Sequence, residues 1–380
     1  MLKKFQKLKK TSMAKASETV LEIDLNNLEH NYNYLRSKLN SDTKFLAVVK
    51  AYAYGSDAVK IALKLEAIGV DYFAVAYVNE GVALRMGGVK KSILVLHPQS
   101  VNFDKLIEHC LEPSLYSPKI LREFLEATKR NGQKDYPVHI KFNTGLNRLG
   151  FWENDVDYIM DQLKERRDIR ITSIFSHLAA TEDSTEKQFT LKQIDTFTKI
   201  VSDFEEKLGY SPLKHILNTS GIINYPEANF DMVRSGIGLY GFANDEEIDS
   251  QLKPIATLKT IISQIHKIEP NESVGYNRAY TSEGYRVTAT LPLGHADGIG
   301  RQYGKGKTFV SVNGTLAPII GNVCMDMIMV DITGIDCKEG DEVIIFGGNP
   351  TAHSFAATAN TISYELITGI SQRIKRVFKS

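Results

Sequence analysis

The sequence predicts an α/β protein: a (β/α)8 TIM-type barrel followed by a mainly β C-terminal domain. Three observations carry that expectation. Short apolar runs, eight in all, alternate with helical patterns over roughly 200 residues from Lys44 onward, as parallel strands joined by helices do. Beyond Pro254 the pattern turns β-rich, with runs separated by turn residues. Lys50 stands at the carboxyl end of the first apolar run, where such barrels place their chemistry.

A chain of 380 residues exceeds one ordinary core, so two domains are expected. Hydrophobic residues make up 43% and charged residues 24%, ordinary globular composition. The net charge of +1 gives no field that would hold nucleic acid or a membrane surface, and neither partner is expected. No apolar stretch is long enough to span a bilayer. Residues 1–17 hold Lys3, Lys4, Lys7, Lys9, Lys10 and Lys15 and no acid; without an apolar core they read as a disordered basic tail rather than a secretory signal. Cys110, Cys324 and Cys337 are too few and scattered for a disulfide framework or a zinc site, which fits a reducing cytoplasm.

Taken in order, Val20 to Leu25 alternates as a strand does, and the segment 18–25 could pack on the C-terminal domain. Asn26 or Asn27 would cap a helix running through Leu28, Tyr32, Leu35 and Leu39. The barrel, placed at 26–252, draws its strands from 45–49, 72–75, 93–96, 114–116, 138–142, 171–175, 215–217 and 232–233. Helical patterns are clearest near 56–68, 118–131, 155–166 and 185–207. The final domain, at 253–380, reads as strands at 256–268, 285–291, 308–312, 315–320, 327–332 and 342–346, with one helix from Asn360 to about Ile370.

Lys50 follows the apolar run Phe45 to Val49, and Gly55 breaks the chain before an apolar helical pattern resumes at Ala58. A desolvated lysine has a depressed pKa and can form a Schiff base with an aldehyde. The other strand ends hold Lys141 and Arg148, then His177, then Asn218-Thr219-Ser220-Gly221, then Arg234-Ser-Gly236-Ile237-Gly238. Singly these read as helix caps, turn glycines, an ion-pairing arginine and a core histidine. The last two loops are also where this fold binds phosphate, through backbone N–H groups beside glycines. A lysine facing a phosphate site, a histidine and two arginines suits pyridoxal 5'-phosphate.

The run Ala47-Val-Val-Lys-Ala-Tyr-Ala-Tyr-Gly55 resembles the cofactor-lysine motif of the alanine racemases, and the likeness extends from about residue 18 onward. KFNTGLNRLG, VRSGIGLYG, VGYNRAYT, NVCMDMIMVDI and NTISYEL resemble further motifs of that family, in its order. The resemblance implies that Lys50 carries the cofactor and is one of two acid/base groups, with Tyr276 the other on the opposite face. It implies a homodimer, because Tyr276 would reach the barrel of a second subunit, as would a backbone group of Met325 that meets the substrate carboxylate. Arg234 would face the pyridine nitrogen. Tyr54, Thr219 or Ser220, Gly236, Ile237 and Tyr364 would hold the phosphate. His177 would pack near the ring, with Asn218 in support. Arg148 would lie near the cofactor hydroxyl and the substrate carboxylate. Lys141 matches a lysine often carbamylated in relatives, and a carbamate would turn two neighbouring cations into an ion pair. The chain departs from the family at Tyr52, at Ser56-Asp57 and at His295, which stands where a tyrosine is usual.

Racemisation removes the α-proton on one face and returns one on the other, which calls for two flanking bases. The implied activity is interconversion of L- and D-alanine for peptidoglycan in the cytoplasm. A broad-specificity racemase acting on serine or larger amino acids is the alternative. A decarboxylase is disfavoured because Arg234, unlike an acid, would leave the ring nitrogen unprotonated. A cofactor-binding protein without a second base is disfavoured by Tyr276.

Overall fold

The computed structural model describes residues 16–243 and 246–380, so the expected basic tail lies almost entirely outside the described residues. The chain divides into two compact units, one of residues 25–253 and one that joins the N-terminal segment through Asp24 to Pro254–Ser380.

The strands in chain order are β1 (Ala16–Asp24), β2 (Lys44–Val48), β3 (Tyr72–Val75), β4 (Ser92–Val95), β5 (Glu112–Leu115), β6 (Tyr136–Lys141), β7 (Ile169–Phe175), β8 (Leu213–His215) and β9 (Met232–Ser235). Strands β2 to β9 form an eight-stranded parallel sheet in the order β8-β7-β6-β5-β4-β3-β2-β9. Single backbone bonds cross the remaining seam, from Asp231 N to Lys214 O (3.1 Å) and from Arg234 N to Leu217 O (3.1 Å). The sheet is therefore a near-closed barrel, as the alternation of apolar runs predicts. Its strands are buried because crossover helices cover a parallel sheet. Fully buried Phe45, Phe73, Ile93, Ile140 and Ile174 each contribute about 1.5–3 kcal/mol.

Local chemistry places the crossover helices. Asp57 Oδ1 accepts from Lys60 N at 3.2 Å and caps the helix Ala58–Ala67, which turns Ile61, Ala62 and Leu65 inward. Here a departure from the family pattern has a local structural use. Ser117 caps Pro118–Arg130 in the same way, with proline at its first turn. The first helix, Leu25–Arg36, begins ahead of Asn26 and ends before Leu39, so neither asparagine is its cap.

In the second unit the strands are β10 (Ala256–Ile261), β11 (Gln264–Ile268), β12 (Ser273–Val274), β13 (Tyr280–Thr281), β14 (Arg286–Leu291), β15 (Phe309–Val312), β16 (Thr315–Ile320), β17 (Ile328–Asp331), β18 (Glu342–Phe346) and β19 (Ile374–Lys379). Apart from the β12–β13 pair they join β1 in a nine-stranded sheet ordered β11-β14-β17-β16-β15-β18-β10-β1-β19. The expected single strand over 256–268 is two, because the chain leaves β18 and takes β14 as its partner after Ile262. The Asn313-Gly314 turn has both residues at positive φ, the geometry that a two-residue hairpin needs. The single helix expected from Asn360 is instead a pair, Ala352–Ala357 and Ser363–Gly369, with Asn360 left-handed between them.

Candidate active site

After β2 the backbone does something unusual. Ala51, Tyr52, Ala53 and Tyr54 lie at φ of 52°, 59°, 52° and 52°, and Gly55 follows at 84°. A left-handed residue other than glycine costs roughly 1–2 kcal/mol, so surrounding contacts must enforce this turn. Ala53 N donates to Val49 O (3.0 Å) and Gly55 N to Ala51 O (2.9 Å). Ala51 N donates to Glu80 Oε1 (2.7 Å), and Glu80 Oε2 accepts from Ala76 N (2.7 Å) and Tyr77 N (3.0 Å). The ring of Tyr54 is buried and stacked 4.4 Å from that of Tyr240, whose hydroxyl donates to Val48 O at 3.1 Å. Lys50 is thereby presented at the head of a rigid turn. Burial and then the Arg148 charge lower its pKa, with Glu80 acting the other way, so more of the amine is neutral and nucleophilic.

The barrel unit gathers further cations around Lys50. Lys141, at the end of β6, is buried, and its pKa falls to about 8 through desolvation and the charges of Arg148, Arg234 and Lys50. Arg148 sits in the loop that follows. That loop is closed at its base by Phe151 N donating to Lys141 O and Asn143 N to Phe151 O, each at 2.8 Å. Asn143 Oδ1 accepts from Gly145 N and Asn147 N across it. Gly150 makes the closure possible: it lies at φ 133°, and a Cβ there would come within 2.5 Å of the Phe142 carbonyl carbon.

Arg234 is buried at the end of β9. Its Nη1 donates to His215 Nδ1 (2.6 Å) and His215 O (3.2 Å), and its Nη2 to Ser176 O (2.7 Å), Ile216 O (3.1 Å) and His177 Nδ1 (3.1 Å). Nε donates to no acceptor among the described residues. Burial lowers the pKa of the guanidinium to about 9, so it remains a cation and a pure donor at neutral pH. His177 is held neutral by desolvation and by Arg234, Arg148, Lys141 and Lys50. Accepting at Nδ1, its imidazole carries the proton on Nε2.

Asn218 Oδ1 caps the short helix Thr219–Asn224 through Gly221 N (2.9 Å) and accepts from Thr181 Oγ1 (2.7 Å). The hydroxyls of the next two residues face protein: Thr219 Oγ1 pairs with Ser235 Oγ (3.0 Å), and Ser220 Oγ donates to Ala243 O (3.1 Å). Among the described residues the N–H groups of Thr219, Ser220, Gly236 and Ile237 donate to no protein acceptor. Gly236 could carry no side chain, since a Cβ would come 2.3 Å from the Tyr54 hydroxyl. Unshared amides beside Tyr54, together with the free Nε–H of Arg234, fit a phosphate and a pyridine nitrogen. The residues present therefore fit pyridoxal phosphate.

Tyr276, Met325 and Tyr364 belong to the other unit. Tyr276 is 72% and Met325 58% exposed. The Tyr276 carbonyl accepts from Asn322 Nδ2 at 3.0 Å, after Gly275 has turned the chain at φ 78°. Met325 O accepts from Ala296 N and Cys324 O from His295 N, each at 3.0 Å. Asp297, buried and paired with Arg373 through both carboxylate oxygens (2.6 and 2.8 Å), fixes the exposed His295 turn beside them. Tyr364 is half-buried in the helix Ser363–Gly369.

Sequence reasoning missed Glu80, Tyr240 and His215, which hold Lys50, Tyr54 and Arg234 in place. Glu80 lies three residues past Tyr77, the spacing of a carboxylate that turns back on a helix start, and that signal was available.

A lysine on a strained strand-end turn, a cluster of cations around it and an anion cradle at the strand ends of a near-closed parallel barrel are the features of the barrel-type pyridoxal phosphate enzymes. Comparison with known proteins narrows this. The chain matches the family model for the alanine racemase N-terminal domain over residues 23–244 and that for the C-terminal domain over 255–378. Alanine racemase 1 of Clostridium acetobutylicum is 37% identical over 369 residues, 94% of each chain. The alanine racemase of Clostridium difficile 630 superposes with a TM-score of 0.90 at 35% identity, covering 96% of each chain. That of Bartonella henselae, solved with covalently bound pyridoxal phosphate, gives 0.86 at 28% identity, covering 96% of this chain and 100% of the other. The chain belongs to the alanine racemase family.

Proposed function

We propose that this protein interconverts L-alanine and D-alanine with pyridoxal 5'-phosphate, as a homodimer in the cytoplasm that supplies D-alanine for peptidoglycan. The observation that carries this reading is Lys50, its pKa lowered, at the head of a rigid turn whose Tyr54 hydroxyl packs against Gly236 of the unshared amides.

The amides of Thr219, Ser220, Gly236 and Ile237, with the hydroxyls of Tyr54 and Tyr364, would hold the phosphate, and His177 and Asn218 would support the ring. When bound, the cofactor supplies an electron sink that acidifies the α-proton of an attached amino acid. Arg234 keeps its own protons, and its Nε–H would give the ring nitrogen a hydrogen bond but no full charge. Lys50 Nζ holds or takes a proton on one side of the α-carbon, and Tyr276 Oη does so on the other. Arg148 and a backbone group of Met325 would orient the substrate carboxylate. Tyr276 and Met325 are exposed in their own unit, which supports their delivery to a second subunit's barrel. A neutral fraction of Lys141, raised by burial, supports carbamylation there, which would give Arg148 an anionic partner. Free cysteines at 110, 324 and 337 support a reducing compartment, and among the described residues no helix is long and apolar enough to cross a membrane.

The test is a chirality assay on purified, cofactor-loaded protein with L-alanine and L-serine. D-alanine should form more than about tenfold faster than D-serine, a difference of about 1.4 kcal/mol in transition-state binding. Comparable rates would move the assignment to the broad-specificity racemase.

A further inference from the structure

Glu112 is an acid on a strand buried along its whole length, and the site described above does not use it. Its Oε2 accepts from Tyr72 Oη and from His139 Nε2, both at 2.8 Å. His139 Nδ1 lies 2.6 Å from Ser173 Oγ, and Ser173 Oγ lies 2.9 Å from His215 Nε2. His215 Nδ1 lies 2.6 Å from Arg234 Nη1. One side chain from each of β5, β6, β7, β8 and β9 thus forms an unbroken chain through the barrel, and no member is more than 6% exposed.

The ends fix its direction. A guanidinium only donates and a carboxylate only accepts. Arg234 therefore donates to His215 Nδ1, and His215 Nε2–H donates to Ser173. The Ser173 hydroxyl donates to His139 Nδ1, and His139 Nε2–H donates to Glu112. Burial would raise the pKa of Glu112, but the hydrogen bonds it accepts from His139, Ser92 and Tyr72 leave it below the usual value and the group ionised. Desolvation and Arg234 push the pKa of His215 far down, so it stays a neutral relay. Each link polarises the next, which makes His215 a better acceptor for Nη1.

We propose that Glu112 is a positioning residue for Arg234. As terminal acceptor of the chain, it commits Nη1 to His215 and leaves Nε–H aimed at the cofactor ring. The proposal rests on the reading of Arg234 as the group facing the pyridine nitrogen.

The experiment titrates pyridoxal phosphate into cofactor-free protein, then records the pH midpoint of its absorbance band in the loaded protein. Ser173→Ala interrupts the chain with little change of volume. It should weaken cofactor binding about tenfold, the scale of one charge-assisted hydrogen bond, and move the midpoint by about half a pH unit. Glu112→Leu should act alike, whereas Glu112→Gln keeps an oxygen facing His139 and should stay within about twofold of wild type. If Glu112→Leu fails to fold, Ser173→Ala and Glu112→Gln still decide. Arg234→Lys should move the midpoint. If it does while Ser173→Ala lowers only the melting temperature, the chain is structural and the proposal is overturned. Equal damage from Glu112→Gln and Ser173→Ala would overturn the terminal-acceptor role. A midpoint unmoved by Arg234→Lys would overturn the underlying reading of Arg234 instead.

Discussion

Replacing Lys50 with alanine should abolish covalent attachment of the cofactor and lower racemisation by at least about 10^4-fold. The substitution removes a nucleophile and an acid/base group together, and general acid–base catalysis alone is worth roughly 10^2–10^4-fold. The loss is not a folding effect. The turn that carries Lys50 is held by backbone bonds, by Glu80 and by the Tyr54–Tyr240 stack, and none of these uses the lysine side chain. The check is intact mass after borohydride treatment of the loaded protein. Wild type should gain the reduced cofactor, and Lys50→Ala should not. A gain at Lys141, the buried lysine of the cluster, would move the attachment site there.

Tyr276→Phe should lower kcat by roughly 10^2–10^4-fold while the cofactor still binds and keeps its absorbance. Tyr276 is exposed in its own unit, so losing the hydroxyl should change stability by no more than about 0.5 kcal/mol. The hydroxyl's work would be proton transfer on the face that Lys50 does not serve. Unchanged kcat would remove Tyr276 from the chemistry and leave Lys50 without its counterpart.

Much of this was legible in the chain because the information is local. Most barrel strands contain a short apolar run, and the loops that end them are contiguous motifs. What stayed hidden depends on distant partners. Alanine and tyrosine have no preference for positive φ, so the left-handed run 51–54 depends on distant partners, Glu80 and Tyr240, as well as on its own backbone bonds. β19 carries Lys375, Arg376 and Lys379 among its apolar residues, and it becomes a strand by pairing with β1 some 350 residues earlier in the chain. Glu112, His139, Ser173, His215 and Arg234 meet because successive barrel strands bring them into line, and no spacing in the sequence announces it. In the loops expected to hold phosphate, the hydroxyls of Thr219 and Ser220 bond to protein, and it is the backbone amides that stay unshared among the described residues, a division that no residue type announces.

The central claim is that two groups serve the two faces of the α-carbon. It is tested most directly by the first turnovers of L-alanine in deuterated water, with deuterium at Cα measured in D-alanine as it appears. If Lys50 and Tyr276 act on opposite faces, the hydrogen removed by one does not return from the other, and D-alanine carries solvent deuterium from the outset. Early D-alanine that retains the substrate's own hydrogen would show a single base working on both faces and would contradict the account.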